Sequence, residues 1–178
     1  MKIIKTKFKE LLIIDGIKFF DSRGYFREIF KNKFLQRKKF VFWCMSKSKK
    51  NVLRGLHLQK KIQQEKFISV VKGKILDVAV DLRKNSKTFG KHYRTILSEN
   101  NSRSVFIPKG FAHGFLCLDK ENIIVYGNSK YRSKKNEIGL VWNDKDLNIK
   151  WPKKKVIISP KDKSNLTLKE FIKKRITL

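Results

Sequence analysis

At 178 residues, with 40% hydrophobic and 12% aromatic residues, the chain is long enough to bury a sizeable core and too apolar for a disordered segment. Its 44 Lys and Arg stand against 15 Asp and Glu, a net charge of +29; this favours anionic ligands but, spread along the whole length, marks no nucleic-acid footprint on one element. Cys44 and Cys117 lie far apart and in no CxxC arrangement, which argues against a disulfide framework and suits a reducing cytoplasm.

Lysines interrupt the N-terminal MKIIKTKFKELLIIDG before a signal-type apolar region can form, and the longest clean apolar run, FVFWCM, is too short to span a bilayer. The expectation is a soluble cytoplasmic protein with one domain over residues 1–178. Short β-rich runs follow one another, separated by turn residues. ELLIID leads through GIKFFDSRG into YFREIF. KFVFWCMS is followed by a polar turn, KSKKN, and then by VLRGLHLQ. KFISVV and ILDVAVDL flank KGK, where Gly73 suits a hairpin turn. HYRTILS, SVFIP, GFLCL and NIIVYG continue the series, and helical periodicity is confined to REIFKNKFLQ and the C-terminal NLTLKEFIKKR. This pattern predicts an all-β fold, a jelly-roll sandwich or barrel with short peripheral helices.

The chain has only three histidines, His57, His92 and His113. In VLRGLHLQ, strict alternation puts Arg54, Leu56 and Leu58 on one face and Gly55, His57 and Gln59 on the other. A bulge at Gly55 would turn Arg54 and His57 toward one cavity. A buried histidine satisfied by a neighbour, with Arg54 in a structural ion pair, explains the stretch equally well. Lys66 opens the next apolar run, which also carries Asp77, Asp81 and Arg83; in so lysine-rich a chain a solvated Lys66 is the simpler reading. FIPKGFAHGFLCL sets Pro108, Gly110, His113 and Gly114 close together: a tight turn from which His113 enters an apolar strand. Tyr126 lies among β-branched residues, a common place for a core aromatic. A nucleophile elbow, a Walker loop and a GxGxxG fingerprint are all missing, which leaves proton-transfer residues and cationic ligands for an anion.

These segments, in this order, resemble the dTDP-4-dehydrorhamnose 3,5-epimerase family, cupin-fold enzymes of dTDP-rhamnose synthesis. The resemblance is carried by DSRGYFREIF, SKSKKNVLRGLHLQ, QEKFISVVKGKILDVAVDLRKNSKTFGK, FIPKGFAHGFLCL, VYGNSKY, LVWNDKDLNIKWP and SPKD. It implies a jelly-roll homodimer that acts on a nucleotide-linked 4-keto-6-deoxy sugar with no metal or other cofactor. Where metal-holding cupins carry an HxH pair, this chain reads His57-Leu58-Gln59. By motif, His57 matches the general base, Asp162 the carboxylate that orients it, Tyr126 the general acid and Lys66 the lysine near the ketone oxygen. Arg54 and Arg23 match substrate-binding arginines, and Glu28 and His113 match residues lining the site.

One departure stands out. The family usually carries a Gln-x-Asn pair just before SKSKKN, and here those positions are Phe42 and Cys44. That change bears on substrate identity and on whether both carbons are inverted. The alternatives are a same-fold enzyme that inverts one carbon or isomerises the ketone, and a non-catalytic basic β-sandwich that binds polyanions.

Overall fold

The computed structural model describes the chain apart from Gln36, Arg37, Lys154 and Thr177, and apart from the side chain of Phe34. β1 (Lys2–Lys5) and β2 (Leu12–Asp15) precede a small hairpin, β3 (Lys18–Asp21) and β4 (Gly24–Arg27). Next come β5 (Phe42–Lys49), β6 (Leu53–Gln59), β7 (Lys66–Lys72) and β8 (Lys74–Asp81). β9 (His92–Ser98), β10 (Arg103–Ile107), β11 (Phe111–Cys117) and β12 (Glu121–Asn128) complete the main run. β13 (Glu137–Gly139) and two short helices, α1 (Pro160–Lys163) and α2 (Leu168–Lys173), follow.

The strands form a six-stranded sheet, β1-β2-β10-β7-β12-β5, and a five-stranded sheet, β13-β6-β11-β8-β9, with β3 and β4 apart. Every pairing between named strands is antiparallel. Alternation along the strands builds two cores. Ile75 and Ala79 of β8, Phe111 and Phe115 of β11, and Ile68 and Val70 of β7 pack between the sheets. Leu76, Val78 and Val80 point the other way, where Leu147, Leu168 and Phe171 of the C-terminal segment cover them. This is the all-β jelly roll expected from the strand pattern, of the cupin type that the resemblance implies. No helix among the described residues is long and apolar enough to cross a membrane.

Three local expectations change. β7 and β8 are not a hairpin: β7 pairs with β10 and β12, and β8 with β11 and β9. The KGK stretch is a corner between sheets. Gly73, at φ +80°, passes so close to β12 that a Cβ would lie 2.2 Å from the Glu121 carbonyl oxygen. KSKKN does not turn as a unit, because β5 runs on to Lys49 with Ser48 buried and Lys47 and Lys49 exposed. REIFKNKFLQ forms only a 3-10 turn at Asn32–Leu35, and its final Gln36 lies outside the described residues. Ile29, Phe30 and Leu35 pack instead on Phe67 and Phe106 of the six-stranded sheet, so tertiary burial overrides local helical periodicity. NLTLKEFIKKR does form α2, closed at its start by a capping box between Thr167 and Glu170.

Candidate active site

The site starts from a break in β6. Across the β6–β11 pair, His57 lies opposite His113 and Arg54 opposite Phe115, so three steps along β6 match two along β11. The extra residue falls at Gly55, whose φ is +117°. Leu53, Leu56 and Leu58 keep to the outer core. Arg54, His57 and Gln59 turn to the other side, where all three line a cavity of about 640 Å³.

A distant segment then fixes the imidazole. Ser159 caps α1, its hydroxyl accepting from the Asp162 amide at 3.1 Å, and this sets the buried Asp162 under His57. Asp162 Oδ1 lies 2.6 Å from His57 Nε2, and Oδ2 accepts the Gly55 amide at 3.2 Å. Burial pushes the Asp162 carboxyl up, but its hydrogen bond with His57, the Gly55 amide and Ser159 outweigh that and hold it below the usual range. An ionised Asp162 can only accept, so Nε2 carries the proton and Nδ1 is left as the basic nitrogen.

The opposite wall comes from the six-stranded sheet. Tyr126 of β12 lines the cavity with its hydroxyl 2.7 Å from Ser46 Oγ of β5. Burial pushes its phenol well above the usual value, against the Ser46 hydrogen bond and the Arg54 charge, so it stays protonated and suits a proton donor at neutral pH. Lys66, at the start of β7, reaches the His57 carbonyl at 3.4 Å. Desolvation lowers its ammonium to about 8, with Glu137 and Asp77 pulling the other way. His113 Nε2 lies 2.7 Å from Asp77 Oδ2, both buried, and Arg54 Nε donates to Ser48 at 3.1 Å. The cavity thus holds an oriented base, a protonated phenol on the facing sheet, and cations able to meet negative charge.

Other candidates lie elsewhere. Asp81 is buried and braces the following loop through Arg83, Ser86 and Thr88. His92 belongs to the edge strand β9. Arg23 and Glu28 do not line the cavity of their own chain. Arg23, with its side chain 88% exposed, pairs with Asp21 at the tip of the β3–β4 hairpin, and Glu28 pairs with Lys31 at 2.6 Å.

Residues 5–170 match the family model of dTDP-4-dehydrorhamnose 3,5-epimerase. The chain belongs to the dTDP-4-dehydrorhamnose 3,5-epimerase family. The enzyme of that name from Shigella flexneri is 44% identical over 168 residues, covering 91% of this chain and 93% of its own. The solved dTDP-4-dehydrorhamnose 3,5-epimerase of Elizabethkingia anophelis NUHP1 is 41% identical with a TM-score of 0.89, covering 96% of this chain and 97% of that one. The dTDP-6-deoxy-D-glucose-3,5-epimerase of Legionella pneumophila, solved in complex with dTDP-4-keto-L-rhamnose, is 38% identical with a TM-score of 0.93 and covers 99% of this chain and 97% of that one. Like its family, the chain is an isomerase, and the non-catalytic polyanion-binding reading falls away.

For this epimerase the cavity contains groups that pattern reading did not single out. Glu137 accepts a two-pronged hydrogen bond from Arg132, at 2.7 and 2.8 Å, and also pairs with Lys161. Burial raises its carboxyl, but Arg132 and Lys161 outweigh that and bring it to about 2. Glu137 is the only acid between Glu121 and Asp144 in a lysine-rich stretch, and that scarcity was its one legible signal. Phe42 and Cys44 do line the cavity. Phe42 packs against Tyr131 with ring centroids 6.1 Å apart, and Cys44 lies 3.9 Å from the Asn128 amide nitrogen. A ring and a thiol thus line the cavity at the two positions where the resemblance implies amides.

Proposed function

We propose that the chain inverts carbons 3 and 5 of a dTDP-linked 4-keto-6-deoxyglucose to give dTDP-4-keto-rhamnose, with one domain over residues 1–178 carrying the site. One observation carries this reading: the His57–Asp162 pair and Tyr126 reach a single cavity from opposite sheets. A ketone at carbon 4 acidifies the protons on both neighbouring carbons, because either carbanion delocalises into an enolate. His57 removes such a proton, and Asp162 stabilises the imidazolium that forms. The Lys66 ammonium offsets the charge growing on the ketone oxygen, the kind of preorganised contact that contributes about 3–4 kcal/mol. Tyr126 returns a proton from the other face, which inverts the carbon. Arg54 meets the diphosphate and His113 lines the sugar pocket. No electrons leave the substrate, so the sequence of steps draws on no cofactor.

The same reading makes the enzyme a homodimer. The β3–β4 hairpin exposes Phe19, Phe20, Tyr25 and Phe26, with Phe20 at 74%, a cluster of rings that favours a covering surface. Its base is fixed to its own subunit by Arg27, which donates to the Val70 carbonyl at 2.9 Å and the Ser102 carbonyl at 2.8 Å. A hairpin held at its base and apolar at its tip suits delivery of Arg23 and Glu28 to the cavity of a second copy. Two free thiols, Cys44 and Cys117, support a cytoplasmic setting.

Incubation with dTDP-4-keto-6-deoxyglucose in deuterium oxide tests the reaction. Deuterium at carbons 3 and 5, with inversion at both, is the expected result. Incorporation at one carbon would instead mark a single-carbon epimerase, and none at either would overturn the assignment.

A further inference from the structure

Ser46 sits on β5, the edge strand of the six-stranded sheet, and its hydroxyl lies 2.7 Å from that of Tyr126 on the neighbouring β12. Ser46 is half-buried and lines the cavity. Each hydroxyl carries a single proton, so only one of them donates across this contact. If Tyr126 donated, its proton would point away from the sugar and be spent before the reaction began. If Ser46 donates, the phenol proton is free to point into the cavity.

The contact has a second consequence. Once Tyr126 has given up its proton, a tyrosinate is left where burial penalises the charge, and Ser46 is among the groups that offset this. A donor already aligned on that oxygen can return a proton with no rearrangement of the site.

We propose that Ser46 is a positioning residue for the acid half of the reaction, aiming the Tyr126 proton at the sugar face opposite His57 and relaying a fresh proton to Tyr126 after each inversion. This rests on the epimerase reading above. The protons balance. The carbon–hydrogen bond breaks toward His57, leaving an imidazolium and an enolate, and the enolate carbon takes the Tyr126 proton. Ser46 passes its proton to the tyrosinate while a water molecule replaces it. The hydroxide left behind is neutralised by the proton that the imidazolium releases to solvent. No electrons change hands.

The test follows hydrogen exchange and inversion in one sample of enzyme with dTDP-4-keto-6-deoxyglucose in deuterium oxide. Their ratio does not depend on how much of a variant is folded. Tyr126→Phe provides the reference, with exchange but little inversion. Ser46→Ala is expected to lower the ratio of inversion to exchange about tenfold, the scale of one lost hydrogen bond. An unchanged ratio, whether both rates fall together or neither does, would overturn the role. If Ser46→Ala shows no exchange at all, Ser46→Thr decides: it keeps the hydroxyl and should keep the wild-type ratio, and a lowered ratio there would refute the proposal. A wild-type enzyme that neither exchanges nor inverts would refute the epimerase reading itself, a separate outcome.

Discussion

Gly55 and Gly114 meet across neighbouring strands so closely that neither tolerates a side chain. A Cβ on Gly55 would lie 2.5 Å from the Gly114 Cα, and one on Gly114 would lie 2.6 Å from the Arg54 carbonyl oxygen. This close approach lets β6 carry its extra residue while staying paired to β11. The bulge in turn sets Arg54 and His57 on the same side of the sheet, and its Gly55 amide holds Asp162. One pair of glycines thus serves both the packing of the five-stranded sheet and the aim of His57.

Gly55→Ala is therefore expected to harm both. The positive φ and the backbone clash should lower stability by about 2–4 kcal/mol, in the range of strain and overpacking costs. Turnover in the fraction that still folds should fall as well, because His57 loses its register against Asp162. Urea denaturation together with activity per folded molecule checks this. A stable and fully active variant would show that the bulge does not set the site.

Strand positions were legible from alternation and turn residues, whereas sheet membership was not. KGK has the composition of a hairpin turn, yet β7 and β8 part there into different sheets. Local periodicity describes a strand's two faces and says nothing about its neighbours. Gly55 was readable because it lies between Arg54 and His57, two polar residues that strict alternation would put on opposite faces. Gly114 was not, since it is needed only for the approach of another strand. The His57–Asp162 pair spans 105 residues, a distance over which only the family resemblance joined the two. Ser46 ended the KFVFWCMS run and carried no signal of its own. It is an inward-facing position of β5, whose alternating serines and lysines carry no apolar signal.

Asp162→Asn keeps the size of the side chain and removes the charge that stabilises the imidazolium. The amide can also present its nitrogen to His57 and favour the wrong tautomer. Both effects should lower kcat by about 10²–10⁴-fold. Binding of dTDP, read by calorimetry, should change little. His57→Ala should abolish deuterium exchange at both carbons; exchange at the wild-type rate would remove His57 from the base role.

In the proposed mechanism Lys66 sets the alkaline limit. Its ammonium is charged below about 8 and neutral above, so stabilisation of the enolate oxygen is present at neutral pH and is lost as pH rises through that value. The rate should fall above about pH 8, well before an exposed lysine would titrate. Lys66→Arg keeps its charge throughout and should remove this limb, even at a lower overall rate. A wild-type profile flat to pH 10 would contradict the assignment.

Cys44 reports on the wall where a ring and a thiol replace two amides. Burial raises its thiol, against the Asn128 contact and the charges of Lys66 and Arg132, while Cys117 is fully buried and raised to about 11. Iodoacetamide at neutral pH should therefore modify Cys44 alone, and more slowly than a free thiol. Bound dTDP should slow it further if Phe42 and Cys44 face the nucleotide. Peptide mass spectrometry over a time course follows both rates, and labelling indifferent to dTDP would place the nucleotide away from this wall.

The hairpin makes the sharpest prediction about assembly. Arg23→Ala and His57→Ala should each reduce activity when made alone, the first by losing a substrate contact and the second by losing the base. If Arg23 serves the cavity of the other subunit, a heterodimer of the two variants contains one cavity with both defects and one with neither. Random assembly makes half of the dimers mixed, so co-expression should recover about a quarter of wild-type activity. If Arg23 served its own cavity, every site in the mixture would lack one of the two groups, and nothing would be recovered. Activity measured below saturating substrate, beside the molecular mass from sedimentation, separates the two arrangements. A monomer in sedimentation, or a mixture as inactive as its parts, would overturn the shared site.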